Sequence, residues 1–356
     1  MRYYAIKVFN GDGSVFQTAN GQQAAWTSLT TLGTPDPAAA NVAFDIPLYN
    51  QSNAQGACHL KIDGVGLPMI SQATQFAAPT PSQKLLQISL GMSKGLPLAN
   101  PNQVGVPITG LILQAYGNWQ GNQQSLEFNF SWIPASPVAP DNLSFTWAKG
   151  TKLGDAIQTT LQAAFPGYSV IIAVNSNIVA PEDQHGVYRT PDDFIQAMYR
   201  LSIATLNKPN YPGVKMYVRG KTISVYDDNS TDAGGLAEQS GGTSVGNTST
   251  SATGTGNSES DPKQILFTDL IGQPVWQSVN QIQFYCVMRG DLAPNKYIKM
   301  PAASTVSNAG SNGQYRNNLT FQGTFVVTRV RLVGNFRQPS AEAWVTVVDA
   351  VSLVPQ

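Results

Sequence analysis

The sequence predicts a mainly β chain interrupted by a small α/β domain, and three observations carry that reading. Short stretches near both ends alternate apolar and polar residues with period two, as half-buried strands do. A central stretch instead repeats its apolar residues every four positions, the spacing of one helix face. Between the strands, segments rich in Gly, Pro and Asn supply turns.

The elements follow in chain order. In "RYYAIKVF", Tyr4, Ile6 and Val8 fall on one face, and Ala5, Lys7 and Phe9 on the other. "NGDGS" then reads as a hairpin turn whose glycines permit positive φ. Strands are predicted over "CHLKI" (58–62), "KLLQISLGM" (84–92), "TGLILQAYG" (109–117) and "SLEFNFSWI" (125–133), with no helix among them. Such a run predicts a barrel or a sandwich, here carrying long insertions such as 34–57. "PASPVAP" (134–140) is a stiff connector that closes a first β domain, residues 1–140.

Residues 141–228 read as the α/β domain. Thr151 is predicted to cap a helix whose buried stripe is Leu153, Ile157, Leu161 and Phe165, with Ala156 and Ala164 alongside and Pro166-Gly167 as its stop. A strand covers 168–174. A second helix has Thr190 as cap, Pro191 at its first position, Asp192 and Asp193 at the positive end of its dipole, and Phe194, Met198 and Leu201 as its apolar stripe. Residues 213–228 form a strand pair about Gly220-Lys221. Residues 229–262 hold no aromatic residue and are predicted to be a flexible tether or an extended strap. Residues 263–356 return to the strand pattern as a second β domain. In its "TFVVTRVRLVG", Val326, Thr328, Val330 and Leu332 are predicted on one face, and Val327, Arg329 and Arg331 on the other.

Composition bounds the function. Of 356 residues, 42% are hydrophobic but only 12% charged, against about 25% in a typical soluble protein. Lys+Arg and Asp+Glu are 21 each. A surface of Gln, Asn, Ser and Thr loses few ions from water when it is covered, which suits a subunit with large buried interfaces. An ordinary secreted or cell-surface β protein fits the same composition. No concentrated basic patch with aromatic platforms marks a nucleic-acid footprint. Cys58 and Cys286 are too far apart in sequence to read as a framework, and both suit small buried thiols. No stretch approaches 18 apolar residues, and no apolar run follows the first basic residue, so synthesis in a reducing cytoplasm without a cleaved leader is expected.

The chain offers little for catalysis. His59 and His185 lie in different predicted domains and have no third ligand at metal spacing. Asp192 and Asp193, adjacent on a helix, point about 100° apart and suit a dipole better than a catalytic pair. Asp227-Asp228 reads as a solvated turn, and the glycan-acceptor patterns at Asn142, Asn229 and Asn318 as chance. No phosphate loop, nucleophile elbow or dinucleotide fingerprint is present. No catalytic, metal or cofactor residue is predicted. The Trp, Tyr and Asn content and the scattered carboxylates leave a carbohydrate-binding or cell-wall-degrading β protein as an alternative. Arg289-Gly290-Asp291 poses a sharper question, because that tripeptide elsewhere serves as an adhesion ligand. Its flanks, "IQFYCVM" and "KYIKMP", make it the connector of two strands.

"FTDLIGQPVW…IQFYCVMRGDLAPNKYIKMP" followed by "FVVTRVRLVGNFRQPSAEAWVTVVDAV" resembles the C-terminal part of baseplate hub proteins of contractile-tailed bacteriophages. "WAKGTKLGDAIQTTLQAAFPGYSV" is similar to the hub's small α/β domain, and "RYYAIKVFN" to its first barrel. The motif residues are Gly272, Gln273, Pro274, Arg289, Gly290, Asp291, Pro301 and Trp344. The resemblance loosely covers most of the chain and is most specific over 265–356. It departs in the length of the 229–262 tether and of the first-domain insertions. It implies two tube-like β-barrel domains flanking the α/β domain. It also implies a non-enzymatic homotrimer that joins a six-fold tail tube to a three-fold spike. Other baseplate proteins would be its neighbours, and DNA or a tape-measure protein would pass through its channel. The implied location is the virion tail baseplate, after synthesis in the host cytoplasm. A hub of a contractile injection machine without a phage genome is equally compatible with these motifs.

Overall fold

The computed structural model describes residues 2–11, 13–49, 58–77, 84–92, 100–131, 143–209, 211–219, 222–227, 257–258, 261–278, 280–294, 296–301, 321 and 323–352. The first part of the chain supplies β1 (Arg2–Phe9), β2 (Ala25–Thr27), β3 (Asn41–Tyr49), β4 (Cys58–Asp63), the short helix α1 (Leu67–Ile70), β5 (Leu85–Met92), β6 (Gly105–Gln120) and β7 (Gln123–Ser131). The middle supplies β8 (Leu143–Trp147), α2 (Leu153–Ala164), β9 (Ser169–Ala173), β10 (Gln184–Tyr188), α3 (Pro191–Leu206), β11 (Val214–Arg219) and β12 (Thr222–Asp227). The last part supplies β13 (Asn257–Ser258), β14 (Asp261–Gln264), β15 (Val275–Trp276), β16 (Gln281–Val287), β17 (Tyr297–Lys299), β18 (Thr324–Asn335) and β19 (Trp344–Ser352). The fold is mainly β with a small helical part, as the sequence predicts.

Among the described residues, strands from both ends of the chain share one 14-stranded sheet. The two ends carry the same plan. In the first half, β3 to β7 lie in the spatial order β3-β4-β7-β6-β5; in the last, β15 to β19 lie in the order β15-β16-β19-β18-β17. Numbered within each half, both orders read 1-2-5-4-3, and every neighbouring pair is antiparallel. The register repeats as well. The β6–β7 ladder has an extra residue between Ile112 and Gln114, and the β18–β19 ladder has one between Val327 and Arg329. Aligning the bulges places Leu85 and Leu86 of β5 at the positions of Tyr297 and Ile298 of β17. The flanking strand differs: β1 meets β5 antiparallel, whereas β14 meets β17 parallel. The halves join edge to edge through β18 and β3, from Arg329 opposite Tyr49 to Asn335 opposite Ala43.

The bulge corrects one expectation. Phe325 and Val327 are buried, and after the extra residue so are Val330 and Leu332, while Arg329 and Arg331 face out. The predicted alternation therefore holds only beyond Thr328. Before it, Val326 and Thr328 belong to the other phase, because one extra residue exchanges the faces of a strand. A second difference lies between β4 and β5, where the sequence predicts no helix. α1 and the 3-10 turn Ala73–Ala77 bury Met69, Ala73 and Phe76, a four-then-three spacing that packs Phe76 edge-on against Phe128. Tyr4, Ile6 and Val8 are fully buried, as the alternation of β1 requires.

In the middle part, β8 pairs with β10, and β11-β12-β9 form a separate three-stranded sheet. Leu153, Ile157, Leu161 and Phe165 are buried as predicted. Thr151 is not the cap of α2. Lys152 occupies that position, and the amide of Leu153 donates instead to the Ile178 carbonyl at 2.9 Å, so tertiary backbone satisfies the helix end. Thr190 does cap α3, accepting from the Asp193 amide at 3.1 Å. Asp227 is not solvated. It shares the buried side of β12 with Ile223 and Val225, and its Oδ2 accepts from the Tyr211 hydroxyl and the Asn175 amide, both at 2.8 Å. Period-two alternation within a central strand carries that carboxylate inward.

The connector 134–140, Asp228, Gly220-Lys221, Asn142, Asn229 and Asn318 lie outside the described residues, as does most of 229–262. The described end of that segment forms a small hairpin, Asn257–Ser258 against Asp261–Pro262.

Candidate functional site

The Arg289-Gly290-Asp291 corner lies where the last half of the chain meets the first. β16 ends at Val287, and the chain turns inward instead of out to solvent, leaving Arg289 and Asp291 only 4% and 5% exposed. Arg289 grips Asp291 with two parallel bonds, Nε to Oδ1 at 3.0 Å and Nη2 to Oδ2 at 2.8 Å. Its Nη1 donates to Asp269 Oδ2 at 3.2 Å and to the Gln264 carbonyl at 3.1 Å. Lys263 Nζ reaches Asp291 Oδ2 at 2.8 Å. Two cations thus face two carboxylates, and the cluster is neutral.

Three further bonds fasten it. The Arg289 amide donates to Thr346 Oγ1 at 2.9 Å on β19. Gln103 Nε2 donates to Asp269 Oδ1 at 3.0 Å, and the Gln103 carbonyl accepts from the Gly290 amide at 3.0 Å. Gln103 belongs to the first half, so these last two cross the junction. Burial alone would raise the Asp291 carboxyl, but the Arg289 hydrogen bonds and the charges of Arg289 and Lys263 outweigh it and hold it below the usual carboxylate range. Burial likewise works against the Arg289 charge, and Asp291 more than restores it. Both carboxylates and the guanidinium are multiply hydrogen-bonded, whereas among the described residues the Gln103 Oε1 beside them is buried without a partner.

A second patch completes the junction. Trp344 is buried, donates its indole N–H to the Gly91 carbonyl at 3.3 Å, and packs edge-on against Phe44 at 5.1 Å and Phe336 at 6.0 Å. Phe336 in turn meets Tyr4 at 5.0 Å. Arg2 Nη1 donates to the carbonyls of Asn335 and Phe336 at 2.8 and 2.9 Å. On the outward face, Arg331 forks onto Asp45 across the β18–β3 joint, and that hydrogen bond holds the Asp45 carboxyl below its usual range. Both side chains are about half exposed. Arg331→Ala is therefore expected to change unfolding free energy by less than about 1 kcal/mol in denaturant titration.

Of the motif residues, the structure brings Arg289, Gly290, Asp291 and Trp344 to this junction. Gly272 and Gln273 are exposed and Pro274 is half-buried in the turn before β15, apart from the cluster. Pro301 is half-buried after β17, also apart from it. Asp269 is not among the motif residues although it lies in the quoted "FTDLIGQP"; its bond to the Leu266 amide, three residues earlier, is the local signal that could mark it. Gln103 and Gly91 carry no signal in the sequence, since their partners are more than 150 residues away.

Neither thiol is poised for chemistry. Burial pushes both Cys58 and Cys286 up to about 12, which keeps them protonated at neutral pH. His59 meets Glu127 at 3.2 Å on the outward face of β4 and β7, while His185 lies near Thr146 in the middle part. Among the described residues, no group of three His, Cys, Asp or Glu side chains is arranged to hold a metal ion.

No family model matches the chain, and no curated protein does. Solved structures similar to it are tail proteins and secretion components. The 43 kDa tail protein of prophage MuSo2 from Shewanella oneidensis is 8% identical with a TM-score of 0.45, over 99% of this chain and 97% of that one. A tail protein from Neisseria meningitidis MC58 is 10% identical with a TM-score of 0.44, over 98% and 96%. The E. coli c3393 protein, a component of the type VI secretion system with structural similarity to the T4 bacteriophage tail proteins gp27 and gp5, is 8% identical with a TM-score of 0.41, over 88% and 73%. These are likenesses alone.

Proposed function

We propose that this chain is a structural component of a phage tail baseplate: a homotrimeric central hub that joins the six-fold tail tube to the three-fold spike around a channel. One observation carries the reading. The two ends of the chain repeat a five-strand plan with the same strand order, directions and bulge, and they stand side by side in one sheet. A polypeptide that carries the same unit twice presents six units when three copies close a ring, while its single middle part keeps three-fold symmetry. Such an object can face a six-fold partner on one side and a three-fold partner on the other.

The RGD tripeptide serves this architecture as a buried corner. Adhesion would require Arg289 and Asp291 to reach a receptor, and both are occupied by each other. The outward face of the sheet bears polar pairs in both halves, His59 with Glu127 and Gln283 with Asp349. It is the candidate lining along which DNA or a tape-measure protein would pass. The chain has no catalytic role in this proposal, and its place is the virion tail.

The test is the mass of the purified protein by light scattering, alone and mixed with a spike protein of the same tail. A trimer, or a three-to-three complex formed on mixing, is expected. A monomer that ignores the spike overturns the proposal.

A further inference from the structure

The two copies of the strand plan differ on the outward face of the sheet. β19 runs between β16 and β18. On the outward side its Val345 and Val347 form the floor of a groove of about 340 Å³. Gln283 and Tyr285 of β16 form one wall, and Arg329, Arg331 and Val333 of β18 the other. Along β19, Asp349 lies at one end and Glu342 at the other. β7 is the counterpart of β19. Alignment through the bulges and ladders places Glu127 at the position of Val347, and Ser125 at that of Val345. In the first half the place of the groove is filled. The Glu127 carboxylate accepts from the Asn118 side chain at 2.9 Å and meets His59 Nε2 at 3.2 Å, and only about 40 Å³ remains. A valine in place of that glutamate opens the second copy.

The walls decide what fits. Arg331 forks onto Asp45, Gln283 Nε2 donates to Asp349 Oδ1 at 2.8 Å, and Arg329 Nη1 lies 4.0 Å from Asp349 Oδ2. These polar groups are engaged with one another, so a sugar or a phosphate would have to break their pairs to gain its own. An apolar group over the valines breaks none. It gains contact with Val345, Val347 and the Tyr285 ring, a residue 44% exposed. Charge points the same way. The groove and Asp45 together carry two guanidiniums against the carboxylates of Asp45, Asp349 and Glu342. Nucleic acid is held by cations that neutralise its phosphates, and here anions are in surplus. Glu342 instead favours a cation beside the apolar group.

We propose that this groove seats a large apolar side chain of an extended polypeptide from a second protein, with a Lys or Arg two residues further on facing Glu342, and that it does not hold nucleic acid. This rests on the hub reading above, in which the outward face lines the channel, and it specifies what that face retains. In a closed trimer three open grooves alternate with three filled ones, so the retained chain meets three-fold seats. A duplex passes a surface whose guanidiniums are already paired.

The experiment anchors a peptide beside the groove. Gln281 precedes Gln283 by two residues on the same face of β16, just outside the lining. In the Gln281→Cys chain, a disulfide-linked peptide can run along β19 at about 3.3 Å per residue. The peptide Cys-Gly-Gly-Gly-Leu-Gly-Lys then brings its Leu level with Val347 and its Lys level with Val345, toward Glu342. It competes under thiol exchange with versions carrying Ser in place of Leu or Glu in place of Lys, and mass spectrometry reads the conjugates. The linkage supplies the effective concentration that a short peptide needs. The native thiols are buried and stay out of the exchange.

The Leu–Lys peptide is expected to be favoured over the Ser version roughly tenfold, and over the Glu version by a smaller factor. Val347→Glu in the same chain should abolish the preference for Leu. Equal conjugation of all three peptides overturns the proposal. So does a short duplex DNA that binds the wild-type chain and is lost with Val347→Glu. If conjugation is equal while light scattering shows a trimer, the groove assignment falls and the hub reading survives. If the Leu–Lys peptide is preferred by a chain that stays monomeric and ignores the spike, the hub reading falls and the groove stands as a peptide seat.

Discussion

Replacing Gly290 by alanine is expected to destabilise the protein by about 3 kcal/mol, the range of severe overpacking. A Cβ at this position would lie 2.4 Å from the Leu90 carbonyl oxygen and 2.8 and 2.9 Å from the Gly105 carbonyl oxygen and amide nitrogen. These are backbone atoms of β5 and β6, held in their own ladder, so no side-chain rotation relieves the clash. The corner would have to withdraw from the first half, breaking the Gly290–Gln103 bond and straining the one between Gln103 and Asp269. Chemical denaturation at fixed protein concentration reads the loss. Gly272→Ala is the control. Gly272 has φ +78°, and no atom lies within 4 Å of the place its added methyl group would take, so only the left-handed backbone cost of about 1–2 kcal/mol applies. If the two substitutions cost the same, the corner is not a tight joint.

Arg289→Met is expected to cost about 3–5 kcal/mol, the usual penalty for removing one partner of a buried ion pair. It leaves Asp291 and Asp269 buried with Lys263 as the remaining cation. Arg289→Lys should recover only part of the loss, because an ammonium cannot make the two parallel bonds to Asp291 and also reach Asp269 and the Gln264 carbonyl. The pH dependence gives a second readout. Folding depresses the Asp291 pKa, so its contribution is fully present above the unfolded value of about 3.9 and is lost as pH falls through the lower folded value. Wild type should therefore lose stability on acidification below about pH 4, and Asp291→Asn should show a shallower slope over that window from a lower starting point. Equal slopes would remove the carboxylate from the account.

How far the sequence reveals this arrangement varies with the range of the interactions. The stripes of α2 and α3 are legible because a helix buries side chains at a fixed local spacing, and Thr190 is legible because a cap acts over three residues. Thr151 misleads because the amide it would satisfy is taken by Ile178. The phase of β18 misleads at its start because a bulge depends on the partner strand and leaves no mark in the strand itself. Asp227 misleads because its environment is built by Tyr211 and Asn175 from other elements.

By itself, the sequence determined the class of the fold, the helical middle, the buried face of β1 and of β18 beyond its bulge, and the suspicion that "RGD" is a corner. All of these follow from propensities and periodicities that act over a few residues. Only the tertiary structure decided that the corner is a neutral, buried plug against Gln103 and that the two ends share one strand plan. Those facts depend on backbone hydrogen bonds and close contacts between residues far apart in the chain, and their energies exist only once the strands are side by side.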